Sequence, residues 1–308
     1  MIEHFLAALL LTRGVMAPHP VVTPDAGTTQ KLSPELAKEP VQISGDQFEI
    51  QGKANTATYS GHVKVLVPNK GATLQCDKLV AHYTSAQEVS RIECIGNAEA
   101  TQGDKWARGD RADFDNTSGI VVITGNPQAR QGGSEVTGDR FVIDLVGDTL
   151  KGEAVKTIAA PTTPMGDRGK LPVQIVGDRF EVQGRKNTAS WSGRVRVRRG
   201  PTQITCDRLV AHYGEDQQLR SAECVGNATA IDGDKWAHGE RAVYDVPQGL
   251  ITVTGNPEAK QGPNRMTATK FVIDLPGDTI RGDNVKMQVE TGPGGMKLPQ
   301  GPKKDGAP

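Results

Sequence analysis

The sequence has few aromatic residues and no excess of charge of either sign. Phe, Trp and Tyr make up 4% of the 308 residues, and 36% of the chain is hydrophobic, less than the roughly 45 to 50% of a typical globular domain. This composition supplies too little apolar volume for a thick central core. The 36 basic and 36 acidic side chains cancel, so no net field attracts nucleic acid, and we expect no nucleic-acid partner.

Long hydrophobic runs are also missing. The apolar stretch FLAALLL at residues 5–11 is much shorter than the roughly 20 residues needed to cross a bilayer. Its length is typical of a secretory signal, although Arg13 interrupts it and no Lys or Arg precedes it. We interpret residues 1–40 as a signal or membrane-targeting segment followed by a disordered, Pro- and Thr-rich lead-in, with a plain apolar arm as the alternative.

Familiar catalytic motifs are absent as well. The chain has no GxSxG elbow, no HExxH, no P-loop and no GxGxxG that opens a helix. His82 and His212 each follow an Asp by five positions and could be drawn as bases, but in-out alternation in VAHY favours solvent-facing strand histidines. We therefore predict no catalytic residue, no enzyme activity and no cofactor.

What the chain does contain is one module written twice. VQISGDQFEIQGKANTATYSGHVKV at residues 41–65 returns as VQIVGDRFEVQGRKNTASWSGRVRV at 173–197, and CDKLVAHY at 76–83 returns as CDRLVAHY at 206–213. The similarity continues to FVIDL at 141–145 and 271–275. We assign module 1 to residues 41–157, a Pro- and Gly-rich linker to 158–172, module 2 to 173–290 and a disordered tail to 291–308.

Within each module the hydrophobic period is two residues, which predicts strands. Tyr59, Val63 and Val65 alternate with polar residues, and turn signals such as Gly147-Asp148 recur at short intervals. The repeated VVITGNP (121–127) and ITVTGNP (251–257) predict a strand that bends at Gly and ends at Pro. We expect an all-β fold with about seven or eight antiparallel strands per module, as normal strand and loop lengths allow.

The four cysteines form two equivalent pairs. Cys76 precedes Cys94, and Cys206 precedes Cys224, by the same spacing, and each pair brackets two strands and a turn. Folding that hairpin about its midpoint lays the two cysteines opposite one another, close enough for a disulfide. Two buried thiols per module are the alternative. No CxxC spacing is present, so we predict no metal site.

The ordered motifs resemble a known family. GDQFEIQ, TYSGHVKV, LQCDKLVAHY, GDRADFD, VVITGNP and VTGDRFVIDL together resemble the organic-solvent-tolerance A-like family, whose best-known member is a periplasmic lipopolysaccharide-transport protein. Cys76 and Cys206 depart from its pattern, because the family commonly has a small residue there. The resemblance implies two tandem open, twisted antiparallel β-jellyroll modules stacked end to end.

The resemblance also implies a groove between splayed sheets that holds lipid A acyl chains. The inward positions of the predicted strands are the candidates for its wall, although strand parity cannot distinguish a groove wall from a closed core. The candidates are Phe48, Ile50, Tyr59, Val63, Val65, Leu74, Leu79, Ile92, Ile123, Phe141, Ile143, Phe180, Val182, Trp191, Val195, Val197, Ile204, Leu209, Val253, Phe271 and Ile273.

The partners implied by the resemblance are lipopolysaccharide, an inner-membrane ABC-type extraction complex, an outer-membrane β-barrel translocon, and like modules joined by edge-strand pairing. The implied location is the periplasm, with a form anchored in the inner membrane also open. The alternative hypothesis is a secreted structural or adhesive β-repeat protein with a closed core that binds a protein or a glycan.

Overall fold

A computed structural model describes residues 41–68, 71–131, 133–160, 171–262, 264–274, 277, 279–289, 291–292 and 295–296. The predicted signal or membrane-targeting segment with its lead-in, most of the predicted linker and most of the predicted tail lie outside the described residues.

Eleven strands cover the first repeat. They are β1 Gln42–Ser44, β2 Gln47–Gln51, β3 Thr56–Val67, β4 Ala72–Tyr83, β5 Val89–Gln102, β6 Lys105–Asp115, β7 Ile120–Thr124, β8 Gln128–Gln131, β9 Ser134–Thr137, β10 Arg140–Asp144 and β11 Thr149–Ala159.

Eleven more strands form the second repeat. They are β12 Val173–Gln183, β13 Thr188–Arg199, β14 Thr202–Tyr213, β15 Leu219–Asp232, β16 Lys235–Asp245, β17 Leu250–Thr254, β18 Glu258–Gln261, β19 Asn264–Thr267, β20 Lys270–Asp274, β21 Thr279–Asp283 and β22 Lys286–Gln288. A 3-10 turn spans Gly184–Lys186, and a small pair, β23 Thr291–Gly292 and β24 Gly295–Met296, follows within the predicted tail.

The prediction of an antiparallel all-β fold is confirmed, but the strands are more numerous than expected. The extra ones arise because short strands pair with only part of a long one. Residues 56–60 of β3 pair with β2, whereas residues 64–66 pair with β1. In the same way β6 pairs with β7 through residues 111–115 and with β8 through residues 106–108.

Each long strand therefore contributes to two sheet halves. We call half A the set that contains β2, β7 and β10, and half B the set that contains β1 and β8. In the second repeat, β17, β20 and β21 belong to half A, and β18, β19 and β22 belong to half B.

The boundary between the halves is a row of bulges. Strand β5 carries a register shift between Ile95 and Ala98 where it pairs with β6. Gly96 has φ +78, a left-handed conformation that suits glycine, and a Cβ added to it would overlap the Asp77 carboxylate on β4. Carboxylates lie against glycines in the same way at Asp46–Gly61, Asp110–Gly125, Asp178–Gly193 and Asp207–Gly226, and at Gly255 the aliphatic Cβ and Cγ of Glu240 take this place. We call each of these positions a corner.

The corner changes which residues face inward. On β4, Leu74 and Cys76 are buried before the corner, and Leu79 and Ala81 are buried after it, while Asp77 and Lys78 between them are exposed. A single alternation along the whole of β4 would have placed one of these pairs outside. The corner keeps both on one face.

The boundary between the two compact units of the structure does not coincide with the boundary between the two sequence repeats. Unit 1 comprises the described residues up to Gln131 together with Thr137–Gly152, and unit 2 comprises Gly133–Val136 and the described residues from Glu153 onward. Val155 and Thr157 are 0% and 5% exposed, although their counterparts in the second repeat, Val285 and Met287, are exposed. The end of the first repeat thus belongs to the second compact unit.

Candidate functional site

The inner face of unit 1 is an apolar cluster built from both halves. Val63, Val65 and Leu74 come from half B, and Leu79 and Cys94 come from half A. Buried side chains from the two halves thus belong to one continuous cluster. The remaining buried members are Cys76, Ala81, Ala98 and Ala100, with Tyr59, Tyr83, Ile92 and Ala112 partly buried beside them.

Most of the predicted interior residues are shielded from solvent. Those buried in the structure are Val63, Val65, Leu74, Leu79, Ile123, Phe141, Ile143, Phe180, Trp191, Val195, Leu209, Val253 and Phe271. Those only partly buried are Tyr59, Ile92, Val182, Val197, Ile204 and Ile273.

Phe48 and Ile50 differ from this expectation, because they are 54% and 67% exposed. Phe48 still lies on the inner face, opposite Tyr59 in register and with ring centroids 4.6 Å apart. Among the described pairings β2 pairs with β3 alone. Strand parity determines that Phe48 points inward, but its burial would also require another strand paired with the outer edge of β2.

Small residues form much of the interior surface, and the sequence reasoning overlooked most of them. Ala98 and Ala100 on β5 face Gly109 and Ala107 on β6 in register, and Ala112 follows the corner. The second repeat has Ala228, Ala230, Ala237, Gly239 and Ala242 at these places. The alternation of these small residues with polar ones in the sequence could have identified them as inward-facing. These short side chains add little volume to the inner face.

Each unit contains one disulfide on this inner face. Cys76 is bonded to Cys94 and Cys206 to Cys224, each with Cα atoms 5.8 Å apart. The sequence predicted Cys94 directly opposite Cys76. Cys94 instead lies opposite Leu79, so the disulfide bond runs diagonally across the corner. Closing a loop of this length stabilises a fold by about 3 kcal/mol in the chain-entropy description.

The outer face of half A carries a network of charges. In unit 1, His82 Nε2 lies 2.9 Å from Glu93 Oε1, and Arg111 contacts both Glu93 and Asp113. The Arg111 hydrogen bond, aided by one from Arg91, lowers the pKa of Asp113 despite its partial burial. The Arg241 hydrogen bond likewise lowers the pKa of Glu223 in unit 2. These carboxylates are charged at neutral pH and point away from the interior.

Two tryptophans lie on the outer face of half B. Arg108 Cζ is 5.0 Å from the Trp106 ring centroid, and Lys260 Nζ is 4.6 Å from that of Trp236. Such contacts are cation–π interactions of modest strength at exposed sites. Within the described ranges, no three His, Cys, Asp or Glu side chains are grouped so as to hold a metal.

Comparison with known proteins identifies the family. A family model described as "LptA/(LptD N-terminal domain) LPS transport protein" matches residues 42–149 and again residues 174–291. The chain belongs to this family. The resemblance inferred from the motifs is confirmed, and both repeats carry it.

Other comparisons add less. One similar solved structure is LptH, the LptA homologous periplasmic component of the conserved lipopolysaccharide transport device from Pseudomonas aeruginosa. It is 18% identical, with 41% of this chain and 99% of that chain covered and a TM-score of 0.37. No curated protein matches. Of the described residues, none form a helix long and apolar enough to span a membrane.

Proposed function

We propose that this protein is a periplasmic bridge that carries lipopolysaccharide from the inner to the outer membrane. Acyl chains lie in the apolar interior between halves A and B of each unit. The observation that carries the proposal is the inner cluster of unit 1, whose buried members are all Val, Leu, Ala or Cys. Membership of a family of lipopolysaccharide-transport proteins supports the choice of lipid.

Lipid binding requires the two halves to separate. Val63 and Phe141 are each 1% exposed, so an acyl chain reaches them only if the side chains that cover them move. Separation exposes apolar side chains, and an inserted acyl chain offsets this loss because each buried CH₂ group contributes about 0.8 kcal/mol. The corners are the natural hinge, since each interrupts the hydrogen-bond ladder between neighbouring strands at the boundary of the two halves.

Like modules add to exposed edge strands of the two units. In unit 1, Val41 and Ile43 beside β2 are exposed, whereas Ile175 at the position equivalent to Ile43 is buried. Unit 2 differs because it also contains Gly133–Val136 and the part of β11 from Glu153 onward. Strands β21 and β22 leave Ile280 and Met287 exposed. Exposed strand edges with apolar side chains favour strand addition from a similar module.

Two further partners complete the proposed pathway. Movement of lipid needs an energy source, which an inner-membrane ABC-type extraction complex supplies, and an acceptor, which is an outer-membrane β-barrel translocon. The location is the periplasm, with or without an inner-membrane anchor.

Photocrosslinking in the native cell envelope tests the proposal. A photoreactive residue replaces Val65 or Val197 on the inner face, and Lys64 or Arg196 on the outer face is the matched control in each repeat. We expect lipopolysaccharide adducts from the inner positions and none from the outer ones. Absence of lipid adducts at both inner positions would rule out the bridge.

A secreted structural or adhesive β-repeat protein is the second candidate. The observation that favours it is the burial of Val63, Phe141 and Ile143, each 1% exposed, because a well-packed apolar core needs no lipid. Protein adducts without any lipid adduct in the same experiment would support this function.

A further inference from the structure

Trp191 is held in place by a buried hydrogen bond inside unit 2. Its ring lies on the inner face of β13 and is 3% exposed, and its Nε1–H donates to Thr157 Oγ1 at 3.0 Å. The Phe180 ring on β12 contacts it, with centroids 5.1 Å apart and planes inclined by 42°. An N–H donor in an apolar interior keeps its hydrogen-bond acceptor because no water molecule is present to take the place of that acceptor. The indole is therefore fixed in orientation.

The first repeat lacks this arrangement. Tyr59 occupies the position of Trp191, and its neighbour Phe48 is 54% exposed. At the position of Thr157 the second repeat has Met287, which carries no hydroxyl group and is exposed. The fixed indole therefore belongs to one place, the β12–β13 end of unit 2.

The side chains of the cross-strand row that contains Trp191 are large at both ends and small in the middle. The row runs from Trp191 to Leu209 on β14, Cys224 on β15 and Ala242 on β16, and it continues to Val253 on β17 and Phe271 on β20. An acyl chain that lies along this row meets the smallest side chains at Cys224 and Ala242, and two mutually tilted rings, Trp191 and Phe180, at β13 and β12. Trp191 and Phe180 are therefore the bulk at the β12–β13 end of the row.

We propose that Trp191, positioned by Thr157, is the constriction that limits passage of acyl chains through the β12–β13 end of the unit 2 interior. This inference rests on the proposed function, since it requires acyl chains in the interior. Trp191 contacts the passing chain, and Thr157 acts by fixing the indole. Passage requires the Trp191–Thr157 hydrogen bond to break and the ring to turn aside.

Tryptophan fluorescence tests the inference directly. The chain has three Trp residues, so the variant W106F/W236F retains Trp191 alone. The probe is 9,10-dibromostearic acid, whose bromine atoms quench a tryptophan only on contact. We expect saturable quenching in the full-length protein. The control W106F/W191F, which retains the outer-face Trp236, should remain unquenched.

The role of Thr157 is tested by the rate of quenching. In the W106F/W236F background, Thr157→Val removes the hydroxyl group at nearly constant volume and should accelerate quenching about fivefold, the factor that corresponds to one hydrogen bond. Thr157→Ser keeps a hydroxyl group and should restore the slower rate. An unchanged rate in Thr157→Val, with both variants folded, would overturn the constriction.

A parallel crosslinking arm separates this inference from the proposed function. Binding of dibromostearate is measured by its ability to compete with lipid crosslinking at Val65 in unit 1. Competition at Val65 without quenching of Trp191 would contradict the constriction alone. Absence of both lipid adducts and quenching would contradict the proposed function and this inference together.

Discussion

At the scale of the residue, Gly96 shows how strictly a corner is specified. Its φ is +78, and a Cβ would overlap Asp77 Oδ2. We predict that Gly96→Ala lowers the free energy of unfolding by at least about 2 kcal/mol, since the left-handed conformation and the overlap both oppose the methyl group. Urea unfolding followed by circular dichroism measures the loss.

Gly103 provides the matched control for Gly96. Its φ is +58, but nothing lies within 4 Å of an added Cβ, so Gly103→Ala should lose only the conformational part, about 1 kcal/mol. Replacing Asp77 by Ala as well should recover part of the loss caused by Gly96→Ala. Equal losses for the two glycine variants would show that the carboxylate does not determine the corner.

Asp113 is predicted to make stability depend on pH. Arg111 and Arg91 hold its pKa below the ordinary value in the folded protein. The ionised carboxylate thus adds stability above the pKa of the unfolded chain, and that stability disappears as the pH falls through the folded value. Asp113→Asn should lower the free energy of unfolding by about 1 kcal/mol at pH 7, a modest value because solvent reaches both arginines.

The difference between wild type and Asp113→Asn should shrink when unfolding is measured below about pH 4, near the pKa of a free carboxyl group. Glu215→Gln, at an exposed turn, is the control and should show no such dependence. A difference that stays constant from pH 7 to pH 3 would exclude the Arg111–Asp113 pair as its source.

At the scale of the element, strand β1 shows what an incomplete edge does. Ile43 is 40% exposed, whereas its counterpart Ile175 is 6% exposed. We predict that Ile43→Lys leaves the fold stable but weakens self-association, because a charge on an edge opposes strand addition. Sedimentation velocity over a range of protein concentrations should show a lower average mass than for the wild type.

Ile175→Lys is the matched comparison for Ile43→Lys. It places a charge in a buried position and should destabilise unit 2 by several kcal/mol. Unaltered association in Ile43→Lys, with the protein folded, would exclude β1 as the docking edge.

The elements were predictable from the sequence to the extent that local pattern determines them. Alternation identified Val63 and Phe141 as inward residues, and the repeat identified two modules of one fold. The pairing of Cys94 opposite Leu79 was not predictable, because a bulge shifts register without changing the spacing between cysteines. The exposure of Phe48 was hidden for a different reason: burial depends on a strand distant in sequence.

At the scale of the whole molecule, the boundary of unit 2 leads to a prediction about fragments. A fragment of residues 173–290 follows the sequence repeat, whereas one of residues 133–290 keeps Thr157 and Gly133–Val136, which belong to unit 2. The shorter fragment loses the hydroxyl partner of Trp191. We predict that it unfolds at a lower urea concentration and that its Trp191 emission lies at longer wavelength.

Neither fragment contains Trp106, so substitution of Trp236 by Phe in both fragments makes Trp191 the sole Trp. The full-length chain with both Trp106 and Trp236 replaced by Phe supplies the reference spectrum. Equal unfolding midpoints and equal spectra for the two fragments would place the folding boundary at the repeat boundary instead.

The position of Thr157 also bears on how such a chain grows in evolution. Because unit 2 contains a strand encoded at the end of the preceding repeat, an in-frame duplication of one repeat would bring with it the strand that the next copy needs. No new complementary surface has to arise by mutation. Single genetic events can therefore change the number of repeats. Later substitutions, such as the difference between Tyr59 and Trp191, can then give each repeat a different interior.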